Sequence, residues 1–131
     1  MPNNHDYLDP VRAYCVQRGF ADYVIDGGLE GMVERWAAAV GFITAAEHRD
    51  IYELLNDIDG RQLIHDSLVV APADEVAKLA HQLEMADREY FKTSIPLITC
   101  LWGDQRAKEQ GWSPDVNWWY FRKPHCLDPD D

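Results

Sequence analysis

The sequence predicts an all-α protein, a compact bundle of five to six helices with an extended aromatic C-terminal segment. Through residues 29–90, apolar side chains recur three and four residues apart, which is the spacing of one helix face. Proline and glycine residues divide this pattern into short pieces, as expected for helices joined by tight loops. Residues 112–123 depart from it with three tryptophans, a tyrosine and a phenylalanine. We therefore expect one domain over residues 1–131, with flexible ends at 1–8 and 127–131.

The first two helices are predicted from their boundary residues. Asp9 and Pro10 indicate a helix start, because Asp supplies a capping oxygen and proline tolerates the first turn. Gly19 is the expected end of this helix, and Gly27 with Gly28 interrupts the chain again. The second helix has the clearest apolar stripe of the chain, formed by Leu29, Met32, Val33, Trp36, Ala37 and Val40.

The middle of the chain predicts two helical pieces separated by a bend. Thr44 and Glu47 have the spacing of a capping box, which predicts the start of a new helix. Around residues 56–60, where polar residues and a glycine cluster, we expect this helix to stop or bend. The apolar residues on the two sides of the bend are Ile51, Leu54, Leu55 and Ile58, then Leu63, Ile64, Leu68 and Val69.

A long helix and a shorter one are predicted to follow. The residue before a proline avoids helical backbone angles, so Pro72 marks a boundary. The long helix after it ends before Ser94, and its inward side chains are Val76, Leu79, Ala80, Leu83, Ala86 and Tyr90. A sixth helix is expected to begin with Leu97, Ile98, Leu101 and Trp102, and Gly103 and Gly111 are the glycines expected to bracket it.

The charge balance favours a basic partner and disfavours nucleic acid. The formal net charge is −11, from 23 acidic and 12 basic residues. Such a charge repels phosphate and anionic membranes and attracts basic proteins, although it also serves ordinary solubility. The acids that we expect to steer a partner form a dense group in the middle of the chain: Glu47, Asp50, Glu53, Asp57 and Asp59.

The cysteines and the N-terminus predict a cytoplasmic protein that does not enter a membrane. Cys15, Cys100 and Cys126 are odd in number and widely spaced, which favours reduced thiols over a disulfide framework. Residues 1–8 lack the basic and then apolar layout of a signal peptide. The longest apolar run, near residues 36–43, falls far short of the ~20 residues that a membrane span requires.

No metal, cofactor or catalytic residue is predicted. Asp57, Asp59 and Gly60 fit part of an EF-hand calcium loop, but Leu55 then occupies the first ligand position. We expect one of the two aspartates to cap the helix after the bend instead. The histidines and cysteines lack the spacing of zinc or nucleophile motifs, although the fold could still assemble distant groups into a site.

The aromatic segment is the strongest candidate for partner binding. If residues 117–123 are extended, their side chains alternate between two faces, and both faces carry aromatic rings. One face is expected to pack on the bundle. The other either lies under a loop or anchors a partner or a second copy of the chain. The candidate binding residues are Trp118, Trp119, Tyr120, Phe121 and Arg122.

The leading functional prediction is a small acidic, non-catalytic protein-binding or inhibitory module that acts by steric occlusion on a basic protein partner. Two alternatives stay open at this stage. One is a homodimer joined through the aromatic segment. The other is a helical ligand-binding protein or enzyme, with an interhelical pocket formed by Trp36, Tyr52, His65, His81 and Tyr90.

Overall fold

The structure, a computed structural model, describes residues 9–45 and 50–125. These residues form five packed helices and a short two-stranded sheet, which confirms the all-α bundle with an aromatic C-terminal region. The elements are α1 (Pro10–Gln17), α2 (Asp22–Thr44), α3 (Ile51–Leu68), α4 (Ala73–Lys92), β1 (Ser94–Pro96), α5 (Asp104–Gln110), a 3₁₀ helix (Trp118–Phe121) and β2 (Arg122–Pro124). The ends expected to be flexible, 1–8 and 127–131, lie outside the described residues.

The first helix begins as predicted, and the predicted break at Gly28 is a kink inside α2. The Asp9 carboxylate caps α1 by accepting a hydrogen bond from the Arg12 backbone N–H at 2.8 Å. Gly28 has φ 60° and ψ −159°, a conformation open almost only to glycine. The carbonyls released at the kink are bonded by Arg12, which donates to Ile25 and Asp26 at 3.0 and 2.9 Å.

Replacing Gly28 by alanine is expected to destabilise the fold by about 1–3 kcal/mol, because the backbone there excludes L-residues. An added Cβ would also lie 3.0 Å from the Arg12 guanidinium carbon. Urea unfolding followed by circular dichroism measures the effect. The matched control is Gly41→Ala in the same helix, where a Cβ meets nothing within 4 Å. Equal stability of the two variants would contradict this role for Gly28.

The middle of the chain differs from the prediction in two ways. Thr44 ends α2 instead of starting a helix, and Asp50 caps α3 by accepting from the Glu53 N–H at 2.9 Å. The predicted capping partner, Glu47, lies outside the described residues. The bend expected at residues 56–60 is absent, and α3 runs without interruption through them. Burial of the helix face on both sides of Gly60 outweighs the cost of a glycine in a helix, roughly 1 kcal/mol.

The long helix α4 follows Pro72 and ends at Lys92, as predicted. The sixth helix does not begin at residues 97–102, because the backbone N–H groups of Leu97 and Leu101 donate to the carbonyls of Phe121 and Tyr120, both at 2.8 Å. The helix in this region is α5, and it lies between the two glycines that the sequence singles out.

The aromatic segment is extended only at residues 122–124, where β2 pairs antiparallel with β1 and Ile95 faces Lys123. The preceding residues, expected to be extended, form the 3₁₀ helix instead. An extended strand would have split consecutive rings between two faces. The tight helix instead buries three consecutive aromatic side chains, those of Trp119, Tyr120 and Phe121.

The hydrophobic core lies between α2, α3, α4 and the 3₁₀ helix. Trp36 and Tyr90 meet edge to face near its centre, with ring centroids 5.3 Å apart. The other large and fully buried members include Trp119, Tyr120, Leu29, Leu54, Ile58 and Ile64. Within residues 9–45 and 50–125, no helix has both the length and the apolar character needed to cross a bilayer.

Candidate functional site

A cleft of about 990 Å³ lies over one side of α3. Its lining comes from α1, α2, α3, α5 and the segment between α5 and the 3₁₀ helix, so it gathers residues from most of the sequence. Pockets that take drug-sized ligands span about 300–1,000 Å³, which places this cleft at the large end of that range. Helix α3 contributes the carboxylates of the lining: Asp57, Asp59 and Asp66.

Asp59 is held in place by the C-terminal part of the chain. Its Oδ1 accepts a hydrogen bond from the Tyr120 hydroxyl at 2.6 Å and another from Trp102 Nε1 at 3.0 Å. No hydrogen bond from the described residues reaches its Oδ2. The Asp59 carboxylate is therefore fixed through one oxygen, and the residue is exposed at the cleft.

Asp66 is positioned through Gln62. The side-chain oxygen of Gln62 accepts from Asn117 Nδ2 at 2.9 Å and from Trp119 Nε1 at 3.2 Å. Its amide nitrogen then donates to Asp66 Oδ1 at 3.0 Å. Because Asn117 in turn accepts from the Ser113 N–H at 3.1 Å, the segment after α5 orients the carboxylate on α3.

Three arginines also line the cleft, and each lies over an aromatic ring. Arg18 is 5.6 Å from the ring centre of Tyr14, and Arg35 is 5.4 Å from that of Tyr23. Arg106 lies 5.0 Å from the ring centre of Trp102. None of the three forms an ion pair with another described residue. The carboxylates thus lie on α3 alone, whereas the guanidinium groups come from the surrounding elements.

The cleft also carries apolar side chains that remain open to solvent. Tyr23 is 67% exposed, Val69 81% and Val116 54%, and all three belong to the lining. Phe20 and Val70 are exposed members of the same lining. Exposed apolar side chains beside polar groups in a cleft are a feature of interaction sites.

Burial raises the pKa of the Tyr120 hydroxyl well above its usual range, and the hydrogen bond to Asp59 raises the pKa further. The neutral phenol therefore contributes stability that is fully present below the unfolded pKa of about 10 and is lost at higher pH.

Between pH 8 and 11 we expect the free energy of unfolding to fall by about 1.4 kcal/mol in total from this residue alone, most of it above pH ~10. Urea unfolding between pH 8 and 11 measures this loss. Tyr120→Phe is the control, since it retains the ring and lacks the titrating hydroxyl. Parallel pH profiles for the two proteins would contradict the assignment.

The structure places the predicted aromatic binding residues mainly in the core. Trp119, Tyr120 and Phe121 are buried, and Trp118 is half-buried between the rings of Tyr90 and Phe91. The fifth predicted residue, Arg122, donates to Ser94 Oγ at 2.8 Å and lies over the Phe91 ring.

The predicted steering acids are dispersed. Asp59 reaches the cleft with its carboxylate fixed, and Asp57 belongs to the lining. Asp50 caps α3 and Glu53 is exposed in its first turn. Glu47 lies outside the described residues.

The pocket expected from five aromatic and histidine residues is not assembled. Trp36 and His65 line the cleft, whereas Tyr52 and His81 are exposed elsewhere and Tyr90 is buried in the core. The site residues predicted from the sequence did not include Gln62, Asp66, Asn117 or the three lining arginines. One signal was available in the sequence. Gln62 and Asp66 follow Asp59 by three and seven residues, so the three side chains form a polar stripe along one helix face.

Asp57 and Asp59 lie in the interior of α3, so neither caps a helix nor belongs to a calcium loop. Across the residues that the structure describes, no three His, Cys, Asp or Glu side chains are placed to hold a metal ion. Cys15 and Cys100 are buried free thiols, and burial raises the pKa of each, which disfavours the reactive thiolate. Cys126 lies outside the described residues.

Comparison with protein family models, with curated proteins and with solved structures finds no match to this chain. A function must therefore be argued from the geometry and charge of the cleft.

Proposed function

We propose that this chain is a non-catalytic protein-binding module that takes a basic segment of a partner protein in the cleft. The observation that carries the proposal is the pair of fixed carboxylates, Asp59 and Asp66, on a helix bordered by exposed apolar side chains. A charge of −11 adds long-range attraction for such a partner.

The contacts around Asp59 and Asp66 favour binding over a purely structural role. Each carboxylate uses one oxygen for internal hydrogen bonds, and the other can accept from a guanidinium or ammonium group. A carboxylate that is ordered before binding loses less conformational entropy when it pairs. The neighbouring Tyr23, Val69 and Val116 supply apolar contact area, which a bound segment would remove from water.

The proposal includes an inhibitory role and a cytoplasmic location. If the bound segment belongs to the working surface of the partner, a protein seated over it excludes other ligands by steric occlusion. The buried free thiols of Cys15 and Cys100 suit a reducing compartment.

The lining arginines favour a second candidate, a small zwitterionic ligand. Arg18, Arg35 and Arg106 could hold its anionic group while α3 holds the cation. This ligand would bind with little dependence on salt, whereas a basic segment attracted by the whole acidic protein would bind more weakly as salt is added.

A fluorescein-labelled ten-residue peptide that alternates arginine and leucine tests the proposal by fluorescence anisotropy. We expect it to bind at about 0.01 M salt and to weaken several-fold at about 0.15 M, because the Debye length falls from about 30 to about 8 Å. Asp59→Asn/Asp66→Asn is expected to weaken binding about tenfold or more. Asparagine retains an oxygen that can accept the internal hydrogen bonds.

The control is Glu30→Gln/Asp74→Asn, which removes two charges from exposed residues outside the cleft lining. A counterpart peptide with glutamate at every arginine is expected not to bind. Equal binding of the two peptides, or equal weakening by the two double variants, would contradict the proposal.

A further inference from the structure

The backbone positions of Asp59 and Asp66 are a fixed distance apart along one helix. They stand seven residues apart in α3, which corresponds to about 10.5 Å along the helix axis. Each is oriented by a different set of donors, Tyr120 and Trp102 for the first and Gln62 for the second. The cleft therefore offers two separate, ordered acceptors to one ligand.

The spacing of these two helix positions suits one type of extended peptide. A polyproline II helix has three residues per turn and rises 3.1 Å per residue, so residues three apart point the same way at about 9.3 Å. In a β-strand, side chains on one face repeat about 6.7 Å apart or twice that, and neither distance fits as well. The flexible stems of arginine or lysine can cover the remaining difference of roughly 1 Å.

The rest of the lining suits the same peptide. Tyr14, Tyr23 and Trp112 provide aromatic surface, and Val69 and Val116 are exposed beside the polar groups. Proline-rich segments dock in aromatic-lined grooves because their extended conformation is already formed and costs little entropy. The lining arginines would repel further basic groups, so the cleft favours two basic side chains over a continuous basic run.

We infer that the cleft takes a proline-rich segment with two basic residues three positions apart, one bound at Asp59 and the other at Asp66. This inference rests on the proposed function, since it specifies the partner segment for the same site. It makes the spacing of the basic residues, as well as their charge, a determinant of affinity.

Two labelled peptides of identical composition test the inference by fluorescence anisotropy. One is Pro-Arg-Pro-Pro-Arg-Pro, with arginines three positions apart, and the other is Pro-Arg-Arg-Pro-Pro-Pro, with adjacent arginines. We expect the first to bind about tenfold more tightly, because that peptide presents its two guanidinium groups on one face at close to the spacing of the two aspartates along α3. In Asp59→Asn and in Asp66→Asn the preference should shrink to less than about threefold.

Equal affinities for the two peptides would overturn the inference. So would binding of the alternating arginine–leucine peptide without binding of either proline-containing one. In both cases the proposed function would stand. If no arginine peptide binds at low salt, the proposed function fails as well. Circular dichroism of each variant checks that it is folded before its affinity is compared.

Discussion

Asp87→Ala is expected to lower the free energy of unfolding by about 3–5 kcal/mol, one of the two largest losses that we expect from a single substitution in this fold. The Asp87 carboxylate accepts from Arg61 Nε at 2.8 Å and from Arg61 Nη2 at 3.0 Å. It also accepts from Trp36 Nε1 at 2.9 Å. The side chains of Arg61 and Asp87 are only 8% and 20% exposed, so removing the carboxylate leaves a buried guanidinium without its counter-ion.

Arg61→Met/Asp87→Leu separates the cost of an unpaired charge from the value of the pair. Replacing both members of a buried ion pair by apolar residues of similar volume is often neutral. We therefore expect this double variant to recover the part of the loss that comes from the unpaired charge, while the Trp36 N–H that loses its acceptor keeps a cost of about 1–3 kcal/mol. Urea unfolding followed by circular dichroism gives both values. A loss of less than about 1 kcal/mol in Asp87→Ala would show that the pair is effectively solvated.

Trp119→Ala is expected to cost about 3–5 kcal/mol of stability, as is usual when a buried tryptophan is truncated. Trp119 is 1% exposed, its ring lies 4.2 Å beneath the Arg61 guanidinium carbon, and it donates to Gln62. The matched variant Trp118→Ala removes a half-buried ring and should cost clearly less.

The same pair of variants decides between a core role and an interface role for the aromatic segment. If Trp119 anchored a partner, its truncation would lower affinity and leave the free energy of unfolding almost unchanged. A loss of stability below about 1 kcal/mol in Trp119→Ala would contradict the core role that its burial indicates.

The helices of this fold could be predicted because their signals are local. Asp9 and Pro10 begin α1, the Pro72 boundary precedes α4, and Gly28 marks the kink in α2. Periodic apolar residues identify buried helix faces without knowledge of what they pack against. These features account for most of the bundle.

The predicted bend in α3 failed for a reason connected with the site. Asn56, Asp57, Asp59 and Gly60 resemble a helix end because turns and helix ends favour these residue types. All four line the cleft, so they are polar or small on a continuous helix whose other face is buried. The helix boundary that was wrongly predicted from the sequence therefore lies at the candidate site.

The aromatic segment could not be predicted because distant backbone groups determine its conformation. Leu97 and Leu101 donate to the carbonyls of the 3₁₀ helix, and Tyr120 bonds to Asp59 across 61 positions. The side-chain alternation of a strand predicted the wrong burial for this segment, since three consecutive rings are buried in the core. Within the site, Asp59 was predicted as a steering acid. Its pairing with Asp66 could not be predicted, because Gln62 orients Asp66 and the C-terminal segment in turn holds Gln62.

The central claim, that the cleft over α3 is the docking site, is tested most directly by an NMR titration. Amide shifts of the ¹⁵N-labelled protein would be followed as the alternating arginine–leucine peptide is added at low salt. We predict that the largest shift changes fall within residues 59–70 and 111–120, and that Asp59→Asn/Asp66→Asn reduces them. Changes confined to residues 76–88 of α4, none of which lines the cleft, would contradict the claim.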